Sequence, residues 1–132
     1  MPTRTSAQRR ETARDAHRAA VSLCPTNRVL DRLGERWVGL VLKELEAGPL
    51  RHSDLARALA GASQKMLTHT LRELERDGLV RRTVTASVPV RVDYALTPLG
   101  ESLLPVVHAV TRWAQEHVQE IDAARQAYDA EN

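Results

Sequence analysis

One cysteine, Cys24, is the only thiol in this 132-residue chain. An intrachain disulfide and a cysteine-cluster zinc site are thereby excluded. No apolar run approaches the roughly 20 residues of a membrane-spanning helix, so no membrane partner is expected. The amino terminus carries arginines but lacks the apolar stretch of a signal peptide, which predicts a cytoplasmic protein. No Gly-rich phosphate loop, nucleophile elbow or acid pair with a clear cleft is present. The five histidines are scattered, with none at i, i+4 spacing. These absences argue against an enzyme, and neither a cofactor nor a metal is expected. Lysine is scarce too: 17 of the 19 basic residues are arginine. Internal repeats and low-complexity tracts are lacking.

What is present reads as one compact globular domain, with hydrophobic residues at 42% and charged residues at 27%. A pI near 9.1 permits nucleic-acid binding, but a net charge of +2 does not argue for it alone. Distribution says more. Residues 1–20 hold five arginines against two acids, whereas residues 115–132 hold five acids and only Arg125.

The first dozen residues lack apolar periodicity and read as a mobile arm. An Ala-rich stretch, 13–23, is a candidate helix that Pro25 breaks. A short helix at 27–33 is predicted to turn Val29, Leu30 and Leu33 inward, with Gly34 as its cap. The next helix, 35–47, offers Trp37, Leu40, Val41, Leu42 and Leu45, and Gly48-Pro49 ends it. A two-turn helix at 52–59 buries Leu55, Ala56 and Leu59. Gly61-Ala62 then turns the chain, and Ser63 is an N-cap for a helix ending at Asp77-Gly78. Two helices joined by about three residues with a glycine fit a helix-turn-helix.

After Gly78 the period changes to alternation. Val80, Arg82 and Val84, then Val90, Val92, Tyr94 and Leu96, predict two strands around residues 86–89. Thr97-Pro98 opens a long final helix. Along it Leu99, Leu103, Val106, Val110, Trp113, His117 and Ile121 recur at three- and four-residue steps, and Pro105 is expected to kink it. The fold class is mainly α with a small β-hairpin.

On the helix from Ser63, Leu67, Leu71 and Leu74 fall within about 60° of arc and define the buried stripe. The opposite side carries Lys65, His69, Arg72 and Arg76, with Thr68 beside them and Gln64 near the start. These donors suit phosphate oxygens and the acceptor edge of guanine. Lys65, Thr68, His69 and Arg72 are the candidate base readers. Open N–H groups at Ser63 and Gln64 favour phosphate. In the hairpin Arg81, Arg82 and above all Arg91 are candidate backbone or minor-groove contacts. Arg36 and Arg51 stand at helix entrances as further candidates. The competing readings are a solvated charged face and strand-edge charge that blocks aggregation.

The strings CPTNRVLDRLGERW, SQKMLTHTLRELERDGLVRRTV and VPVRVDYALTPLGESLLPVV resemble the HxlR-type winged-helix regulators, relatives of the MarR group. The match covers residues 24–113. It implies a homodimeric transcription factor on a palindromic double-stranded DNA operator, with one recognition helix per subunit in successive major grooves. Dimerisation through the terminal helices is implied, and the stripe from Leu99 to Ile121 supports it independently; core packing is the other reading of that stripe. The chain then divides into an N-terminal arm and candidate helix (1–23), a DNA-binding winged helix (24–97) and a dimerisation helix (98–132). The resemblance also points to Cys24, at the Cys-Pro position, as a candidate sensor of oxidants or electrophiles. A thiol at a helix start has a lowered pKa; the alternative is an inert, partly buried side chain. A small effector near Trp37, Val107 and Trp113 is a second candidate signal, and core packing is again the rival. From another class, a winged helix acting as a protein-interaction module without sequence-specific DNA binding stays open.

Overall fold

The computed structural model describes residues 3–132, and the chain divides into two compact units after Val38. The first unit holds two helices. α1 (Ser6–Leu23) begins at Thr5, whose hydroxyl accepts the Gln8 N–H at 3.1 Å while the Gln8 side chain accepts the Thr5 N–H at 2.8 Å. This reciprocal pair satisfies two donors that a helix start leaves open. Residues 6–12 are therefore helical, where an arm was expected; residues 1 and 2 of that stretch lie outside the described ones. The candidate helix at 13–23 is thus the second half of α1, and its first half has no apolar stripe to read.

Cys24 alone separates α1 from α2 (Pro25–Leu33), and Pro25 occupies the first helical position, where a missing N–H costs nothing. The Asn27 side-chain amide donates to the Val21 carbonyl at 3.3 Å and braces the joint. Val29 and Leu30, expected inward, are exposed, and Leu33 is only half-buried. A two-helix unit has too little apolar surface to enclose them. Gly34 caps α2 as expected, but at a φ of −72° that any residue adopts. Instead of continuing as helix, Glu35 takes an ion pair from Arg32 at 2.7 Å across a turn. The helix expected over 35–47 is accordingly shorter: α3 (Val38–Glu44), then a 3₁₀ turn, Leu45–Ala47.

The second unit continues through β1 (Leu50–Arg51), α4 (His52–Ala58), α5 (Gln64–Arg76), β2 (Val80–Thr85), β3 (Arg91–Leu96) and α6 (Pro98–Glu131). The strands form an antiparallel sheet in the order β1-β3-β2. β1 is too short for sequence alternation to reveal. It exists because Leu50 and Arg51 find Tyr94 and Asp93 as partners. Leu42, Leu45, Leu55, Leu67, Leu71, Leu74 and Val80 are almost fully buried, each side chain contributing about 1.5–3 kcal/mol through removal from water. Leu55 and Leu59 face inward as expected, Ala56 partly, while Leu40 is exposed.

α5 ends in a two-bond cap. The Gly78 N–H donates to the Glu75 carbonyl and the Leu79 N–H to the Leu74 carbonyl, both at 3.0 Å. Gly78 has a φ of +77°, the left-handed conformation this cap needs and glycine adopts without strain. The same corner receives α6. Thr97 donates its hydroxyl to the Gly78 carbonyl at 2.6 Å and its N–H to the Leu79 carbonyl at 3.1 Å. Its Oγ1 also accepts the Gly100 N–H at 3.1 Å, capping α6. Gly100 lies so close to Leu79 that a β-carbon there would overlap the Leu79 carbonyl oxygen.

α6 runs unbroken through Pro105. Gly100, Leu104 and Val107 form its buried face. Lys43 donates to Thr111 at 3.3 Å, and His108 pairs with Glu46 at 2.9 Å. At about 100° per residue, the stripe Leu99, Val106, Val110, Trp113 stands roughly 100° around from that face. All four of its residues are exposed, Val110 at 60%. Leu103, His117 and Ile121 of the same stripe are half-buried.

Gly100→Ala should destabilise the protein by about 1–3 kcal/mol, because the obstructing atom is backbone and cannot rotate away. Gly39→Ala, whose β-carbon would meet only Val107 Cγ1 at 3.9 Å, should be neutral or stabilising by up to about 1 kcal/mol. Urea unfolding of both variants checks the contrast; equal midpoints would discard the close-packing argument.

Candidate nucleic-acid interface

α4 and α5 are joined by residues 59–63, which turn at Gly61 with a φ of +105°. The Arg51 N–H donates to Asp54 Oδ2 at 3.1 Å, fixing the start of α4. Asp54 is held below the usual carboxylate range by that N–H first and by Arg57 second. Ser63 Oγ accepts the Met66 N–H at 3.1 Å and starts α5.

Leu67, Thr70, Leu71 and Leu74 are buried on α5. At about 100° per residue the centre of that arc lies opposite Lys65 and Arg76. Gln64, Lys65, His69, Arg72 and Arg76 are exposed. The face from Lys65 to Arg76 is about 16 Å long at ~1.5 Å per residue, a length that fits along a major groove. Thr68 differs from its neighbours: it is half-buried and shares a 3.2 Å hydrogen bond with His52 Nε2 of α4. Ser63 is exposed, with its side chain committed to the cap. Glu73 takes a 4.0 Å contact from Arg76 on the flank.

The hairpin register sorts the other arginines. Val80 pairs with Leu96, Arg82 with Tyr94 and Val84 with Val92, so these side chains share one face. Arg81, Thr83 and Thr85 share the other with Ala95, Asp93 and Arg91. Arg51 of β1 stands opposite Asp93 on that second face. The sheet thus brings Arg51, Arg81 and Arg91 to one side and turns Arg82 away. Arg91 Nε donates to Asp93 Oδ2 at 3.0 Å, with Arg91 half exposed. The sequence reading missed His52 and Asp93. Asp93 was detectable in principle, since residues two apart on a strand share a face. His52 was not, because its contact depends on how α4 lies against α5. Arg36 belongs to the first unit, where its guanidinium lies 5.6 Å from the Trp37 ring centroid.

Residues 32–122 match the family model described as HxlR-like helix-turn-helix. The chain belongs to the HxlR-like family. Among relatives, the uncharacterized HTH-type transcriptional regulator YtfH of Escherichia coli strain K12 is 41% identical over 102 residues, 77% of this chain and 81% of the relative. Among solved structures, the redox regulator HypR in its reduced form superposes with a TM-score of 0.71 at 34% identity, covering 75% of this chain and 98% of that one. The reduced form of the transcriptional regulator YodB from B. subtilis gives 0.64 at 37% identity, covering 71% and 93%. The resemblance in the three sequence strings is thus an actual membership, and the architecture is the winged helix expected.

In this HxlR-like chain Cys24 ends α1 and starts α2, half-buried. Its thiol is held below the ordinary value, chiefly by the backbone N–H of Asn27 and then that of Thr26. Both belong to the open start of α2, whose dipole favours negative charge. Arg28 is exposed one turn on. The candidate effector residues do not converge within the second unit: Val107 is buried in the core, whereas Trp113, about 120° around α6, is 55% exposed and stacked on His117 at 4.6 Å. Trp37 belongs to the first unit. Among the described residues no group of three or more His, Cys, Asp or Glu is placed to hold a metal ion, and no helix is long and apolar enough to cross a membrane.

Lowering the thiol pKa makes the thiolate persist to lower pH. Iodoacetamide alkylation of Cys24 should therefore reach half its maximal rate at a lower pH in the folded protein than in urea, where about 8.5 is ordinary. Coincident midpoints would remove the N–H stabilisation as a cause of reactivity.

Proposed function

We propose that this HxlR-like protein is a homodimeric transcriptional regulator that binds a palindromic operator and responds to oxidants through Cys24. The observation that carries the DNA-binding reading is the exposed basic face of α5, opposite a fully buried leucine stripe and beside a hairpin with its own arginines. Lys65, His69 and Arg72 read bases, and Gln64 meets phosphate at the helix start. Thr68 acts at the edge of the face, oriented by His52. Arg91 and Arg51 hold the flanking backbone from one side of the sheet. Arg91 exchanges Asp93 for a phosphate when it does so, which at an exposed site costs little. Arg36 is a peripheral contact.

Dimerisation uses the second stripe of α6. Leu99, Val106, Val110 and Trp113 are large apolar side chains left in water along one line, and a heptad-like line of that kind is suited to a partner helix. Two copies related by a twofold axis then match a palindrome with half-sites about 34–36 Å apart. The chain works in the cytoplasm and catalyses no reaction of its own. The protein-interaction alternative leaves the basic face of α5 idle or bound to an acidic partner.

A gel shift on the DNA upstream of the chain's own gene tests the reading. Arg72→Ala should weaken operator binding by about 1–3 kcal/mol, and His69→Ala should erode discrimination between operator and scrambled duplex. Binding without sequence preference, indifferent to both substitutions, would instead identify a protein-interaction module.

The sensor reading rests on the thiol's position at a helix start and on the likeness to HypR, described as a redox regulator. With one cysteine per chain, the disulfides available are to the partner's Cys24 or to a small thiol. Cys24→Ser should leave operator affinity under reducing conditions within twofold of wild type and abolish any loss on diamide treatment. A diamide response of equal size in wild type and variant rejects Cys24 as the sensor.

A further inference from the structure

α1 is a strongly charged element that the operator-binding reading does not use, and it precedes the segment that matches the family model, which begins at residue 32. Every one of its side chains described is exposed. At about 100° per residue, Arg9, Arg10, Arg14, His17 and Arg18 occupy roughly half the circumference, while Glu11 and Asp15 are confined to a narrow adjoining arc. Arg9 leans on Ser6 Oγ at 3.4 Å, and Arg18 meets Asp15 at 3.7 Å with both side chains largely in water. Such contacts are weak and readily exchanged. The Thr5–Gln8 capping pair keeps this array helical from its first turn.

We infer that α1 is a second nucleic-acid contact, binding the phosphate backbone of double-stranded DNA without reading sequence. The inference rests on the operator-binding reading for the presence of DNA. Two features favour DNA as the occupant. A duplex offers one negative charge per ~1.7 Å of axis, continuous along the ~18 Å over which these four arginines repeat, counting side-chain reach beyond the ~13.5 Å of helix between Arg9 and Arg18. The acidic end of α6 in a second copy is the rival occupant, but its charges do not form a matching row. Glu116, Glu120 and Glu131 lie on one side of α6, and Asp122 and Asp129 lie roughly 160° around.

The test compares wild type with the quadruple variant Arg9→Gln, Arg10→Gln, Arg14→Gln, Arg18→Gln on operator and scrambled duplexes across a salt series. Glutamine retains helix propensity, and the matching quadruple lysine variant retains charge. The inference expects the glutamine variant to weaken both duplexes by the same factor. Its log–log salt slope should fall by at least about 1.8, the loss of two phosphate contacts. The operator-to-scrambled ratio should stay constant, and the lysine variant should restore most of the slope. Equal slopes in wild type and glutamine variant, with Arg72→Ala still defective, overturn this inference and leave the operator reading standing. Loss of dimer by the glutamine variant in sedimentation, without a change in slope per dimer, overturns it in favour of a second copy as the occupant. Wild type showing no salt-sensitive DNA binding overturns both.

Discussion

Everything in the second unit hangs on the corner where Gly78 and Leu79 meet Thr97 and Gly100. Four elements end or begin there within a few residues: α5 stops, β2 starts, and β3 passes into α6. The Leu79 carbonyl accepts the Thr97 N–H, and the Gly78 carbonyl accepts the Thr97 hydroxyl. The absent β-carbon of Gly100 lets α6 lie against that same backbone. Removing a hydrogen bond of this kind costs about a kilocalorie per mole or somewhat more. The larger effect is geometric, because one backbone corner sets the direction of the basic helix, the hairpin and the long terminal helix together.

The parts of this fold that were legible in the sequence are those where local chemistry and tertiary packing agree. The leucines at 67, 71 and 74 satisfy helical spacing and burial at once, and Ser63 and Gly78 satisfy cap rules at the ends those leucines set, so α5 and its caps were readable. The hairpin was readable for the same reason, since Val80 and Tyr94 are both strand formers and buried. Where the two diverge, legibility fails. α1 is capped but has no buried face, so its Ala-rich second half was readable from composition and its polar first half was not. Val29 and Leu30 have the spacing of an inward face but nothing in their own unit large enough to cover them. β1 is defined by its partner and is invisible in two residues.

The candidate site was legible in its outline and less so in its internal pairing. Angular spacing on one helix places Lys65, His69, Arg72 and Arg76 together, because helix geometry is nearly independent of the rest of the fold. That Arg91 lies against Asp93, and Thr68 against His52, depends on register and on the approach of two helices. These pairings matter for what the surface presents. A cation already held by a carboxylate is pre-oriented, and it exchanges one anion for another instead of being desolvated afresh. Arg91 is therefore better placed than an arginine held by no carboxylate.

One residue, Thr97, separates the last strand from a helix of 34 residues. At ~1.5 Å per residue that helix is about 51 Å long, and only its first third is packed into the core. Mechanically the rest is a lever whose fulcrum is the edge of the core near Thr111, which Lys43 holds. A rotation of ~5° there sweeps the far end, ~30 Å away, through about 3 Å. Conversely, a displacement imposed far along the helix reaches the core as a small angle with a large mechanical advantage. Between that core and the hairpin, Thr97 is the one residue outside helix or strand.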